Sequence, residues 1–377
     1  MKTENALSER NIALDIFRGL TVCFMIIVNT SGNGDTTYWP LKHADWNGFT
    51  PTDLVFPSFL FAVGNALAFA TKRWQNMSQR QVVYKILKRT IIIFLIGFLM
   101  YWFPFFRPDA TGHWALSPLS HTRVMGVLQR IALCYGVSAL LVYFLGMKKT
   151  AWIGAFSLVF YWGILLVFGD SGVGFSKTGN AVLKLDTWIL GVNHLYTGEG
   201  FPFDPEGILS TIPALFNVIA GYVSGVYLKN NRYNIKALLR MILWGGVFVL
   251  LAIGWNEVLP INKKLWTSSF ALLTVGLDMV LISVIVYLTD ILKFQKGSSF
   301  FLVAGKNPLF IYLLSELGVT IMFMIHIGNE SLFRWIYSNV FQHTGDYLGA
   351  FLFSVWWMLT CWFVGLVLDK KNIYIKI

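Results

Sequence analysis

The chain has 377 residues, of which 56% are hydrophobic and 13% charged, a composition outside the range of soluble domains. Its net charge of +11, from 30 Lys+Arg against 19 Asp+Glu, reports basic cytoplasmic loops in a chain this apolar and does not point to nucleic acid. The three cysteines, Cys23, Cys134 and Cys361, all fall inside apolar runs, which excludes a disulfide framework or a CxxC metal site and leaves packing as their role.

Apolar stretches recur at roughly 12–30, 53–70, 86–106, 124–145, 150–168, 208–228, 238–256, 267–292, 300–325 and 348–368. About 20 apolar residues cross a bilayer. The expected fold class is therefore all-α, a polytopic membrane protein of about ten transmembrane helices in one bundle, forming a single domain over 1–377. The first run holds Asp15 and Arg18 and lacks a small-residue cleavage site, so no cleaved signal peptide is expected. Threading the chain alternately puts 20 Lys+Arg on the side of both termini and 8 on the other. The positive-inside rule then predicts cytoplasmic termini, with the loops 31–52, 107–123, 169–207 and 329–347 external.

Asp15, Arg18, Asp53, Arg130, Asp278 and Glu316 lie within or at the edge of apolar runs, where a charge near a helix centre costs about 2.5–3.5 kcal/mol. Asp15 and Arg18 share a helix face and either pair with each other or meet substrate. The run GVGFSKTG from Gly172 to Gly179 lacks the P-loop spacing and reads as a flexible loop. The densest chemistry is the segment from Asn29 to Asp53, whose glycines and prolines make it a shaped loop. His43 has the one side chain there suited to proton transfer near neutrality. Asp53 is placed to orient it and Asn29 to donate to an oxyanion, although a histidine capping a helix end is the alternative. His113, His121 and His194 form no metal-ligand spacing, so no metal is expected.

The runs RNIALDIFRGLTV, VNTSG and YWPLKHADWNGFTPTDLVFPSFLFAVG, followed by RVMGVLQRIALCY, FDPEGILSTI, LPINKKLWTSSF and AGKNPLFIYLLSE, resemble the transmembrane acetyltransferases typified by heparan-α-glucosaminide N-acetyltransferase. The likeness spans nearly the whole chain. It implies an acyltransferase that moves an acetyl group from cytoplasmic acetyl-CoA to the amine of a glucosamine or related amino sugar on the external side. The family's active-site histidine falls on His43, with its polar neighbours on Asn29 and Asp53. The resemblance further implies a bacterial form without the luminal N-terminal domain, a homodimer, and an inner-membrane location.

On that footing Arg18, Lys306, Lys88 and Arg89 are candidates for the phosphates of acetyl-CoA. Asn307, ahead of the Pro308 that breaks the ninth span, suits a ligand channel. Gln129 and Arg130 suit the thioester or sugar oxygens. Asp186, His194 and Glu206 in the external loops either contact the acceptor or only hold their loop. Intramembrane charges and a broken span also fit a sugar or lipid transporter, and an O-acyltransferase of an envelope glycan is a further alternative. Single cysteines at Gly34 and Gln79, in a background without the native three, are expected to label with an impermeant thiol reagent from opposite sides. Labelling of both from one side would overturn the predicted topology.

Overall fold

The computed structural model describes residues 12–108, 113–231, 233–294 and 296–375. Its helices are α1 Ile12–Asn29, α2 Val55–Trp74, α3 Gln79–Trp102, α4 Val127–Phe168, α5 Ala181–Leu190 and α6 Thr211–Asn230, followed by α7 Ile235–Asn256, α8 Ser268–Val286, α9 Ser298–Lys306, α10 Pro308–Met324, α11 Leu332–Ile336 and α12 Asp346–Lys370. Strands amount to two small antiparallel hairpins, Phe106–Pro108 with Trp114–Leu116 and His326–Ile327 with Glu330–Ser331. The chain is an all-α integral membrane protein.

Among the described residues seven helices are long and apolar enough to cross a membrane, or eight with the bent pair α9 and α10 counted as one span. The difference from ten has local causes. The 42 residues of α4 are interrupted at Gly146, with φ 72° and ψ 173°, so they comprise two helices that match the stretches at 124–145 and 150–168. Helix α3 has 24 residues, but Arg80, Lys85, Lys88 and Arg89 crowd its first three turns. The break expected at Pro308 bends α9 against α10 by 81°, as the ring's missing N–H and its clash with the preceding turn require.

The helix starts follow the local chemistry. Ser78 and Gln81 form a reciprocal capping box at α3, and the Asn180 side chain accepts from the Leu183 amide at 2.8 Å to open α5. On α12, Leu359, Phe363 and Val367 stand exposed one turn apart, the row expected of a lipid-facing surface. On α4, Trp152, Phe156 and Phe160 do the same. Cys23, Cys134 and Cys361 are free thiols buried in packing, as composition suggested.

The described residues divide into two compact units, the first taking in those up to Lys42, those of Leu228–Leu243 and those from Asp278 onward, the second those of His43–Tyr227 and Trp244–Leu277. In the first, α1 packs along α9 and α12. The approach of α1 to α9 depends on small residues, because a Cβ on Gly19 would overlap the Phe301 carbonyl and one on Gly305 the Asp15 carbonyl. In the second, Leu67, Val82, Ile86, Tyr135, Ala139 and Tyr222 form one core cluster, and Tyr161, Leu165, Phe203, Leu209, Leu259 and Leu265 another.

Substituting Gly305→Ala is expected to lower stability by about 1–3 kcal/mol through overpacking against α1, read as a fall in the unfolding temperature in detergent. Gly246→Ala, where a Cβ meets open space, is the matched control. Equal unfolding temperatures for Gly305→Ala and the unsubstituted protein would contradict the close packing.

Candidate active site

The site in the second unit begins with a turn. Residues Pro51–Leu54 form one 3-10 turn capped by a reciprocal box between Thr50 and Asp53. Asp53 is fully buried, and one carboxylate oxygen, Oδ2, accepts from the amides of Thr50 at 3.0 Å and Ala44 at 3.2 Å and from the Thr50 hydroxyl at 3.1 Å. The cap thus consumes one oxygen and leaves the other to face His43, whose Nδ1 lies 2.7 Å from Oδ1. A carboxylate at that distance makes Nδ1 the protonated nitrogen and leaves a lone pair on Nε2. The His43 side chain keeps 41% of its surface accessible.

A third group joins them. Lys263 Nζ lies 2.9 Å from His43 Nδ1, 3.3 Å from Nε2 and 3.6 Å from Asp53 Oδ1. Withdrawal from water pushes the His43 imidazole below its ordinary value of 6.5 and Lys263 adds to that, while Asp53 and Glu206 oppose both. Burial likewise pulls Lys263 below the usual lysine range, against the pull of the Asp53 and Glu206 carboxylates.

Four contacts bind the His43 loop to the segment after α7. The Gly48 amide donates to the Ile261 carbonyl at 2.8 Å, Asn262 Nδ2 to Asn47 Oδ1 at 3.0 Å, and Lys264 Nζ to the Asp45 carbonyl at 2.7 Å, with Lys263 on His43 as the fourth. Trp266 anchors the second segment. It is fully buried, in the left-handed region at φ 51°, a conformation that costs a residue of this size roughly 1–3 kcal/mol and persists only where packing imposes it. Its indole donates to Asn217 Oδ1 at 3.1 Å and meets Phe56 and Phe270 edge-on.

The Arg130 guanidinium lies 4.8 Å over the Trp266 ring. Arg130 is completely buried and bonds Ser210 Oγ and the Gly207 carbonyl through Nη2. Its Nε and Nη1, and both ends of the neighbouring Gln129 amide, have no hydrogen-bond partner among the described residues. Buried polar groups left in this state are costly and call for an explanation.

The loop at 203–210 supplies the acidic side. Arg123 is held between the rings of Tyr101 and Tyr196, at 4.8 and 4.6 Å. It makes a bidentate pair with Asp204, at 2.9 and 2.6 Å, and bonds Glu206 Oε2 at 2.6 Å. Burial alone would lower the Arg123 pKa; Tyr101 and the two carboxylates hold it well above the usual value. Burial would raise Glu206, but Arg123, Arg130 and Lys263 bring it below the ordinary glutamate range. Asp186 Oδ1 accepts from the Ile208 and Leu209 amides at 3.1 and 3.3 Å, and burial pushes its carboxyl up to about 7, with Asp204 adding to the rise. Gly207 has to be glycine for this, since a Cβ would overlap Asp186 Oδ2. His194 Nδ1 lies 2.7 Å from the Thr122 carbonyl. Asp186, His194 and Glu206 thus each bond neighbouring loop residues.

The other residues singled out from sequence are distributed as follows. Arg18 pairs with Asp15 on α1. Lys306 pairs with both Asp369 oxygens at 2.7 and 2.8 Å, and the Asn307 side chain bonds the backbone of Ile373 and Ile375, each at 2.9 Å. Lys88 and Arg89 stand exposed near the start of α3, Arg89 4.7 Å over Tyr135. Asn29 belongs to the first unit, where its amide donates to Glu316 Oε1 at 3.4 Å at the rim of a cleft of about 1100 Å³ lined also by Glu330, Arg334 and Tyr337. Sequence reasoning missed Lys263, Arg123 and Asp204. The signal available for Lys263 was the doubled lysine of LPINKKLW, inside one of the runs that carry the family resemblance.

Residues 10–171, which include His43, Asp53 and Arg123, match the family model described as heparan-alpha-glucosaminide N-acetyltransferase, catalytic. Over its whole length the chain is 26% identical to the heparan-alpha-glucosaminide N-acetyltransferase of Mus musculus, covering 62% of that protein. To the Homo sapiens protein of the same name it is 26% identical over 99% of its length, covering 61% of that protein. The chain thus spans less than two thirds of the length of these relatives. Across residues 10–171, and more weakly from end to end, this chain of apolar helices is thus similar to the heparan-alpha-glucosaminide N-acetyltransferases.

Proposed function

We propose that the protein is a transmembrane N-acetyltransferase that moves an acetyl group from cytoplasmic acetyl-CoA to the amine of a glucosamine or related amino sugar on the external side of an inner membrane. The observation that carries this reading is the His43–Asp53 pair, a partly accessible imidazole 2.7 Å from a fully buried carboxylate, inside the stretch matched to a catalytic acetyltransferase model. An amino sugar arrives largely as an ammonium and has to lose a proton before it attacks a thioester. The Nε2 lone pair of His43 takes that proton; Asp53 fixes the tautomer and stabilises the imidazolium that forms. The excess of basic residues, 20 against 8, supports cytoplasmic termini and external placement of His43.

For acetyl-CoA, the exposed Lys88 and Arg89 at the head of α3 are the groups we assign to the phosphates; Arg18 and Lys306 already carry acidic partners. The unpartnered groups of Gln129 and Arg130 support a contact with the acyl donor. Glu206, whose charge acts on His43 and Lys263 as well as Arg123, is our assignment for the acceptor's ammonium.

The test uses purified protein, labelled acetyl-CoA and a panel of amino sugars. His43→Ala is expected to lower transfer by about 10²–10⁴-fold, the range of a lost general base, while acetyl-CoA still binds and raises the unfolding temperature. Direct transfer leaves no label on the protein when acetyl-CoA is supplied alone. Stoichiometric label on His43, released by adding the amine, would replace direct transfer by an acetyl-enzyme route; full activity of His43→Ala would overturn both.

A further inference from the structure

Lys263 and His43 are 220 residues apart in the chain, yet the ammonium nitrogen lies 2.9 and 3.3 Å from the two ring nitrogens. Those nitrogens flank one carbon of a five-membered ring. A single atom can be this close to both only if it stands over the ring face, since in the ring plane it would overlap the carbons. The in-plane direction at Nδ1 is taken by Asp53 Oδ1 at 2.7 Å, so Nδ1 carries the hydrogen and Nε2 the lone pair. Protonating Nε2 would set an imidazolium directly beneath an ammonium.

We propose that Lys263 is a positioning residue of the transfer reaction: its ammonium, held over the His43 ring, keeps that imidazole uncharged with its Nε2 lone pair available to take a proton.

The surroundings fit that role. The charged groups that act on His43 are Asp53 from the turn before α2, Lys263 from the segment after α7 and Glu206 from the 203–210 loop. Asp53 and Glu206 also favour the charged form of Lys263, so the carboxylates that would otherwise hold a proton on the histidine hold a positive charge on the lysine. The adjacent Lys264 is turned away, to Glu199 and the Asp45 carbonyl. Lys263 is also rigidly carried. The Leu265 amide donates to Asn262 Oδ1 at 2.7 Å, the Trp266 amide to the Lys263 carbonyl at 3.0 Å, and the Thr267 amide to the Asn262 carbonyl at 3.0 Å, which closes a tight turn around the lysine.

This role rests on the acetyltransferase reading, but its test can be made without substrate. Protein labelled with ¹⁵N-histidine is titrated by NMR in micelles, and the His43 signals are identified by their loss in His43→Gln. In Lys263→Met the His43 midpoint is expected to rise by roughly one pH unit or more, tenfold in the protonation equilibrium, because the charge opposing protonation is gone. Lys263→Arg should stay close to the unsubstituted protein, and Lys264→Met should leave the midpoint where it was. Should the methionine variant fail to fold, Lys263→Gln, which keeps a donor toward Asp53, is expected to show the same rise. In the transfer assay the acid limb of kcat/KM should move to higher pH by the same amount, with the loss in Lys263→Met recovered at alkaline pH. An unshifted His43 midpoint in Lys263→Met or Lys263→Gln, or a loss of activity equal at every pH, would overturn the proposal. Absence of transfer by the unsubstituted protein would instead count against the acetyltransferase reading.

Discussion

The second unit depends on one seam: residues 43–48 laid against residues 261–264. Its four contacts, His43 with Lys263, Asp45 with Lys264, Asn47 with Asn262 and Gly48 with Ile261, join two irregular segments that contain no helix of their own. Irregular backbone at membrane depth or at its edge survives only where its polar groups find protein partners, and here each segment supplies the other's. The strained Trp266 shows how firmly the seam is imposed. A buried indole with four ring and polar partners holds the turn that delivers Lys263. Without the seam, Asp53 would still cap its own turn and face His43 Nδ1, but the imidazole would lose the charge that Lys263 brings to it.

Charge is distributed around this seam in a consistent order. Asp53 and Lys263 bracket the imidazole, and Glu206 acts on both His43 and Lys263 while bonded to Arg123. Farther in, Arg130 is buried against Trp266 and the 203–210 loop. Removing one member of a buried, hydrogen-bonded pair leaves the other charge uncompensated, so the loop that carries Asp204 and Glu206 is tied to Arg123 as firmly as the histidine is tied to Asp53.

Much of the fold was legible in the sequence because the bilayer imposes a length. Each of the ten apolar stretches falls on helix, and Pro308 bends its span where a missing N–H demands it. His43 and Asp53 were legible as a pair because they lie ten residues apart in one loop too rich in glycine and proline to be a helix. Partners distant in sequence were not. Lys263 reads as one more external cation, and no local pattern announces that Arg123, 83 residues before Glu206, bonds it. Nor does any local pattern announce that Lys306 pairs with Asp369, 63 residues away. Periodicity and hydropathy report what a segment does with lipid; they carry no record of which distant charge it will meet.

The central claim is that an acetyl group crosses the membrane through this protein and is delivered at His43. Sealed proteoliposomes test it most directly, with labelled acetyl-CoA supplied outside and glucosamine trapped inside. The account predicts that labelled N-acetylglucosamine accumulates within the vesicles and that His43→Ala lowers its rate by about 10²-fold or more. Product formed only when acetyl-CoA and the amine share a compartment would contradict transfer across the bilayer.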